Sequence, residues 1–310
     1  MIDVLGQYKN GNYDVIIFSD GTKIRKNDLD SFEPEYPESM DIKITNSCDR
    51  MCSFCHEASV PNGVHGDILN LPFLDSLMPY TELAIGGGNP LSHPDLVPFL
   101  QQLKERNLIP NMTVHQYHFI RNKTLLRELT EQGFLYGLGV SYNPGTGDLD
   151  IDEFINAIKE FPNAVVHVIN GVCSPEDLSK LSGHGLKILI LGYKDFRRGV
   201  EFHSDNKIHV EANLKSMKER LSTIVSEQWF RVVSFDNLAI RQLDVRSLMS
   251  EEEWSQFYMG DDGGFTMYVD AVSGEYAVCS VSDVRHKITD SIREMFAIVQ
   301  FERNFEYIKR

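Results

Sequence analysis

The sequence predicts an α/β fold built around a parallel sheet. Two observations carry this. From residue 40 to about 200, six short apolar strands alternate with helical segments. The polar and glycine-rich loops of that region follow strands. Nearly continuous apolar strands joined by helices mean a parallel sheet covered by helices. The right-handed crossover rule leaves a barrel or a doubly wound sheet, and in both the loops after strands carry chemistry.

The elements justify themselves in order. Residues 1–39 read as an N-terminal β hairpin and linker. Tyr13 to Phe18 is strand-like, Asp20-Gly21 signals the turn, Thr22 to Arg25 returns, and a stretch with Pro34 and Pro37 follows. This unit is expected to cap the edge of the main domain. Asp41 to Thr45 is the first core strand, followed by a loop with three cysteines. Leu71 to Met78 reads as a helix. Glu82 to Ile85 leads into Gly86-Gly87-Gly88-Asn89-Pro90. Pro94 to Arg106 has helical spacing, with Leu96, Phe99, Leu100 and Leu103 on one face. Asn111 to His115 is the third strand, and Lys123 to Gln132 a helix ended by Gly133. Leu135 to Tyr142 is a strand, Ile151 to Phe161 a helix, and Ala164 to Ile169 a strand. Ser174-Pro175 opens a short helix to Leu181, and Leu186 to Leu191 is the sixth strand.

After residue 200 the alternation stops. Residues 201–310 read as a C-terminal α+β extension. It has a helix from about Val210 to Glu227, a strand from Phe230 to Phe235, and a hairpin of Phe265 to Asp270 with Glu275 to Ser280. A last helix runs from about Asp290 to Gln300.

Composition bounds the function. The chain has 310 residues, 42% hydrophobic and 24% charged, with a net charge of −15. That acidity gives no footprint for binding naked nucleic acid through its backbone. No apolar run approaches the roughly 20 residues of a membrane span. Met1 to Gln7 lacks the basic start and apolar stretch of a signal peptide, so a cytoplasmic protein without membrane partners is expected. Cysteines stay reduced there, which favours metal binding over disulfides.

Three of the five cysteines lie within eight residues, as Cys48, Cys52 and Cys55, with Phe54 before the third. A structural zinc site closes with four protein ligands. Three close thiolates with no obvious fourth point to a 4Fe–4S cluster with one iron left for a small molecule. Cys173 and Cys279 stand alone and do not make a second ligand set.

The spacing C-x3-C-x2-C with its aromatic resembles the cluster motif of the radical S-adenosylmethionine (radical SAM) superfamily, over a scaffold of residues 40 to about 195. The resemblance implies a partial (β/α)6 TIM-like barrel, open on one side. It implies an enzyme that reductively cleaves S-adenosylmethionine (SAM) to a 5′-deoxyadenosyl radical, which takes hydrogen from a substrate. The cofactors would be a 4Fe–4S cluster on Cys48, Cys52 and Cys55, and SAM. Gly86, Gly87, Gly88 and Asn89 match the family's glycine-rich contact to the methionine end, with Asn89 where an acid often stands. Ser141 and Asn143 would meet the ribose or carboxylate, and Gly192 and Tyr193 the adenine. His115, Gln116, Asp236, Asn237 and Tyr268 are substrate candidates, and Cys279 is a candidate hydrogen donor. His118 is read as structural; His56 and Glu57 either tune the cluster or simply complete the loop. The extension would close the barrel and shape the pocket. Its resemblance, through Val233 to Ala239 and Met267 to Asp270, is to radical SAM proteins without an auxiliary-cluster domain. Partners would be an electron donor such as flavodoxin or ferredoxin and a substrate that is a small molecule, a peptide or a nucleoside. The alternative is a noncatalytic iron–sulfur or zinc protein, with His56 or His65 as the fourth ligand.

Overall fold

A computed structural model describes residues 3–29, 31–146 and 150–309; Met1 and Ile2, part of the start read above, lie outside them. Near the N-terminus, β1 (Val4–Asn10), β2 (Tyr13–Phe18) and β3 (Lys23–Lys26) form an antiparallel sheet in that order. The hairpin is β2–β3 as expected, and β1 adds a strand. β1 escapes a pattern search because its register shifts between Val4 and Gly6. The place of a Gly6 side chain is filled by the Tyr80 ring, 2.2 Å from where a Cβ would be. Tyr8, Tyr13, Val15 and Ile17 bury a small core of their own with Ile109 of the main sheet.

The six core strands are β4 (Ser39–Thr45), β5 (Glu82–Gly87), β6 (Ile109–His115), β7 (Gly137–Ser141), β8 (Ala164–Ile169) and β9 (Lys187–Leu191). All pair in parallel, each with the next. Between them run α1 (Leu96–Glu105), α2 (Gln116–Arg121), α3 (Lys123–Glu131), α4 (Ile151–Lys159) and α5 (Pro175–Ser179); α6 (Arg198–Asp205) and α7 (Lys207–Ser226) follow. The helix expected over Leu71 to Met78 is only a 3-10 turn, Leu74–Ser76. Pro79 follows directly, and a residue before proline avoids the helical region.

The extension contributes to both edges of this sheet. β10 (Val232–Phe235) pairs in parallel with β9. After α8 (Asn237–Leu243) and α9 (Glu251–Phe257), β11 (Thr266–Asp270) pairs in parallel with β4 on the opposite edge. β12 (Glu275–Ala277) and β13 (His286–Lys287) extend that edge antiparallel, and α10 (Ile292–Lys309) ends the chain. The sheet therefore has ten strands, not six, in the order β10-β9-β8-β7-β6-β5-β4-β11-β12-β13.

Burial alternates along its strands. Met40, Ile42 and Ile44 of β4 join one core with Leu83 and Ile85 of β5, Met112 and Val114 of β6, and helix residues such as Phe99 and Phe154. The residues between them, Asp41, Lys43, Ala84, Asn111 and Thr113, occupy the other face. A doubly wound sheet would be apolar on both faces, so this one carries its helices on one side only.

Its other face is concave. Lys194, just after β9, donates to Ser280 Oγ, just after β12, over 2.9 Å. Those strands are seven positions apart, about 34 Å in a flat sheet at the usual strand spacing. Only a strongly curled sheet brings them into contact. No strand pairing joins β10 to β13 among the described residues, so side chains rather than a ladder bring the edges together.

Candidate functional site

The cysteine loop leaves the C-terminal end of β4 and doubles back along itself. Asn46 N–H donates to Val64 O over 2.8 Å, Cys48 N–H to Val60 O over 2.9 Å, and Gly66 N–H to Ile44 O over 2.9 Å. Cys55 N–H turns back to Cys52 O over 3.2 Å, and Met51 takes the left-handed region with φ 45°. Neighbours pin the loop from two sides. His118 of α2 meets Asp49 Oδ1 over 2.6 Å, so the histidine read as structural holds the cysteine segment itself. Arg198 donates to Ser59 O over 2.8 Å and Arg197 to Glu57 O over 2.9 Å. Phe54, the motif's aromatic, packs edge-on against Phe202 of α6 at 5.7 Å.

Cys48, Cys52 and Cys55 are free thiols and partly exposed. Burial pushes the Cys52 thiol up to about 11, and the nearby Cys55 and Cys48 push the same way. Among the described residues no three His, Cys, Asp or Glu side chains converge on a point that would hold a single ion. A multi-iron cluster gives each thiolate its own iron, so one focal point is not required. His56 Nε2 lies 3.4 Å from Lys194 Nζ, and His65 Nδ1 2.8 Å from Thr45 Oγ1. Each contact uses one ring nitrogen only, and three thiols on one loop are a donor set that suits an iron–sulfur cluster.

The glycine triplet lies across from this loop. Gly87, at φ 111°, and Gly88 are packed against it: a Cβ would stand 2.5 Å from Thr45 O and 2.2 Å from Ser47 O respectively. Gly86 differs, because its Cβ position is open space. Asn89 N–H donates to Ser47 O over 2.7 Å, and its side-chain oxygen accepts from Leu91 N–H at the start of a 3-10 turn. That oxygen, expected to accept from SAM's ammonium, already has a partner.

Several other candidates turn out to hold backbone. Gln116 is buried; its amide donates to Asn143 O over 2.9 Å and its oxygen accepts from Asn143 N–H over 2.7 Å. It clamps the loop after β7, where Ser141 ends the strand, and has no exposed surface to offer a substrate. His115 caps α2 by accepting from Tyr117 N–H. Asp236, expected beside a strand and facing substrate, caps α8 through Ala239 N–H at 2.7 Å and accepts from Gly192 N–H at 2.9 Å. Gln242, on α8, grips Tyr193 through both its N–H and its C=O at 2.9 Å. Gly192, expected to admit adenine closely, packs against Leu238, 2.4 Å from where a Cβ would be. Asn237 donates to Asp262 over 2.9 Å.

Sequence reasoning missed a buried charge network beneath the cysteine loop. Lys43 Nζ sits 2.9 Å from Glu57 Oε2 and 3.2 Å from Asp270 Oδ2, all three side chains being buried. Tyr268, buried, donates to Glu57 Oε1 over 3.3 Å, and Arg285 lies over its ring at 5.0 Å. Burial, then Glu57, raise the Tyr268 phenol well above its ordinary range. Asp41 is reached by water yet enclosed by protein, and this loss of solvation pushes its carboxyl up to about 6 against the pull of Lys194. The available signal was charge at alternate positions, Asp41 and Lys43, in an otherwise apolar strand.

The two lone cysteines differ. Cys173 is buried with Sγ 3.7 Å from Tyr142 O, and burial pushes its thiol up to about 12. Cys279 is half-buried, 3.4 Å from Ser282 Oγ.

Among solved structures, the fold is similar to that of Streptococcus suis SuiB bound to S-adenosylmethionine. The TM-score is 0.61 at 12% identity, over 97% of this chain and 88% of that one. It is also similar to SuiB bound to precursor peptide SuiA, with a TM-score of 0.56 at 14% identity over 85% of this chain and 65% of that one. The fold is thus shared with SuiB. No family model and no curated protein matches the sequence. In this fold the cysteine loop, open Gly86 and the charges around Glu57 lie at the C-terminal ends of β4 and its two neighbours, β5 and β11. No helix among the described residues is long and apolar enough to cross a membrane.

Proposed function

We propose that the protein is a radical SAM enzyme in which Cys48, Cys52 and Cys55 hold a 4Fe–4S cluster. The observation that carries this is three free thiols on one pinned loop after β4, in a fold shared with a SAM-bound protein. When bound, the cluster supplies the electron that cleaves SAM to a radical able to take hydrogen from substrate. The chain's own residues orient and enclose. His118, Arg197 and Arg198 hold the loop. Gly86 leaves room for SAM, and Asn89 meets its methionine end through its amide, whose oxygen has a second lone pair besides the one taken by Leu91 N–H. Ser141, Asn143, Gly192 and Tyr193 complete the rim, the last three positioned by Gln116, Asp236 and Gln242. The Lys43–Glu57–Asp270 network keeps Tyr268 and Glu57 fixed at the substrate side.

In this reading residues 40–200 form a partial barrel and residues 201–310 supply both of its edges. A flavodoxin or ferredoxin in the cytoplasm would deliver the electron. The neighbour bound to a precursor peptide favours a peptide among the three substrate classes. The test is anaerobic reconstitution, then SAM and dithionite, with 5′-deoxyadenosine and the electron paramagnetic resonance spectrum as readouts. One cluster perturbed by SAM is expected, and both signals should vanish when the three cysteines become alanine. Cleavage that survives the triple replacement defeats the reading.

A further inference from the structure

A cavity of about 760 Å³ opens on the concave face of the sheet, toward the strand N-terminal ends and away from the cysteine loop. Ala84 on β5 lines it, with Gly137 and Gly139 on β7, whose missing side chains make room for Asn111, His167 and Thr113. Its floor is the turn between β2 and β3, from Phe18 to Thr22, together with Phe257 and Met259. Its volume lies within the range of small-molecule sites, about 300–1,000 Å³.

The polar wall groups divide by charge. The rim carriers already have partners: Glu82 pairs with Lys23 at 2.7 Å, Asp20 accepts from Thr22 N–H at 3.0 Å, and Lys187 donates to Pro162 O at 3.0 Å. Arg231, also at the rim, is solvent-exposed. The uncharged groups are the reverse. Asn111, Thr113, His167 and Ser234, from β6, β8 and β10, line the cavity, and none makes a side-chain hydrogen bond to another described residue. Burial lowers the His167 imidazole to about 4, so it is neutral at pH 7 and offers one donor and one acceptor. Asn111, Thr113 and His167 are half-buried and Ser234 is exposed, so a ligand in the cavity would take over the bonds that water otherwise makes to these converging groups.

We propose that this cavity is a binding site for an uncharged amphiphilic ligand, about the size of a capped amino acid. Its hydrogen-bonding head meets Asn111, Thr113 and His167, and its apolar body rests on Phe18, Phe257 and Met259. A charged ligand would lose its hydration with no free counter-charge among those inner groups. The site stands independently of whether the thiols hold a cluster.

The experiment uses the full chain with histidines labelled at 13Cε1, the His167 resonance being assigned by its loss in His167→Gln. N-acetyl-L-tyrosinamide is titrated in as probe, with N-acetyl-L-glutamate as its charged counterpart. A saturable shift of the His167 resonance by the neutral probe is expected, at least tenfold weaker with the charged one. Two fillers on different strands, Ala84→Phe and Ser234→Leu, should each weaken the neutral probe at least tenfold, so one that fails to fold leaves the other. No shift in the native protein, equal response to the charged probe, or full binding in a folded filler variant overturns the proposal. Because no SAM cleavage is read, its failure is distinct from failure of the radical SAM reading.

Discussion

At the scale of residues, the glycine triplet separates into two kinds. Gly87 sits at φ 111° with a carbonyl where its side chain would be, whereas Gly86 faces open space. Gly87→Ala should therefore cost about 1–3 kcal/mol in urea unfolding, the range for forcing a residue into a strained region. Gly86→Ala should stay within about 0.5 kcal/mol of native while weakening SAM binding. Equal stability losses would sink this distinction. Asp41 supplies a pH-dependent prediction. Its folded pKa, about 6, lies above the ordinary 3.8, so the folded state binds the proton more tightly. Stability from this group is present at low pH and is lost as pH rises through about 6. Asp41→Asn should be more stable than the native chain by roughly 1 kcal/mol at pH 7.5, after allowing for the water that reaches the group. At pH 4 the gain should disappear. A gain of the same size at both values would show that packing, not ionisation, is responsible.

At the scale of elements, the core strands were legible, and so were the helix starts at Lys123, Ile151 and Pro175. Apolar runs bounded by turns marked β4 to β9 within a few residues, because parallel strands against a helical layer need that pattern. α2 and α8 lie in stretches to which the sequence pattern assigns no element. α2 starts directly after β6, whose last residue His115 is its cap, and α8 follows β10 with only Asp236 between, so no composition change announces either. That hid the work of Asp236, which resembled a pocket carboxylate and is instead a helix cap holding Gly192. Asp236→Ala should destabilise by about 0.5–2 kcal/mol in thermal or urea unfolding, the range for losing an N-cap. Asp236→Asn, which keeps the capping oxygen, should recover most of it. If the two variants behave alike, the cap is not the reason for the residue. The cysteine motif could be read from spacing alone because its three cysteines lie close together in sequence. The Lys43–Glu57–Asp270 network could not, since its members come from three segments joined only by sheet order.

At the scale of the whole molecule, the curl rests on few contacts. Lys194 reaches Ser280 across the concave face, with His56 beside it. Lys194→Met should accelerate deuterium uptake in residues 278–285 about fivefold, as expected for losing one hydrogen bond of about 1 kcal/mol. Uptake there that matches the native protein would mean another contact sets the curvature. The sheet order also has a consequence for biosynthesis. β4 carries the cysteine loop, yet its partner on one side, β11, begins only at Thr266. At bacterial-like synthesis rates of about 5–20 residues per second, roughly 10–45 s separate the two strands. Throughout that interval the emerging chain carries an unsatisfied row of amides along the strand that must later present its thiols. Such an edge invites pairing with a neighbouring chain. Newly made protein is thus most exposed to misassembly until β11 arrives, with its thiols beside the open edge.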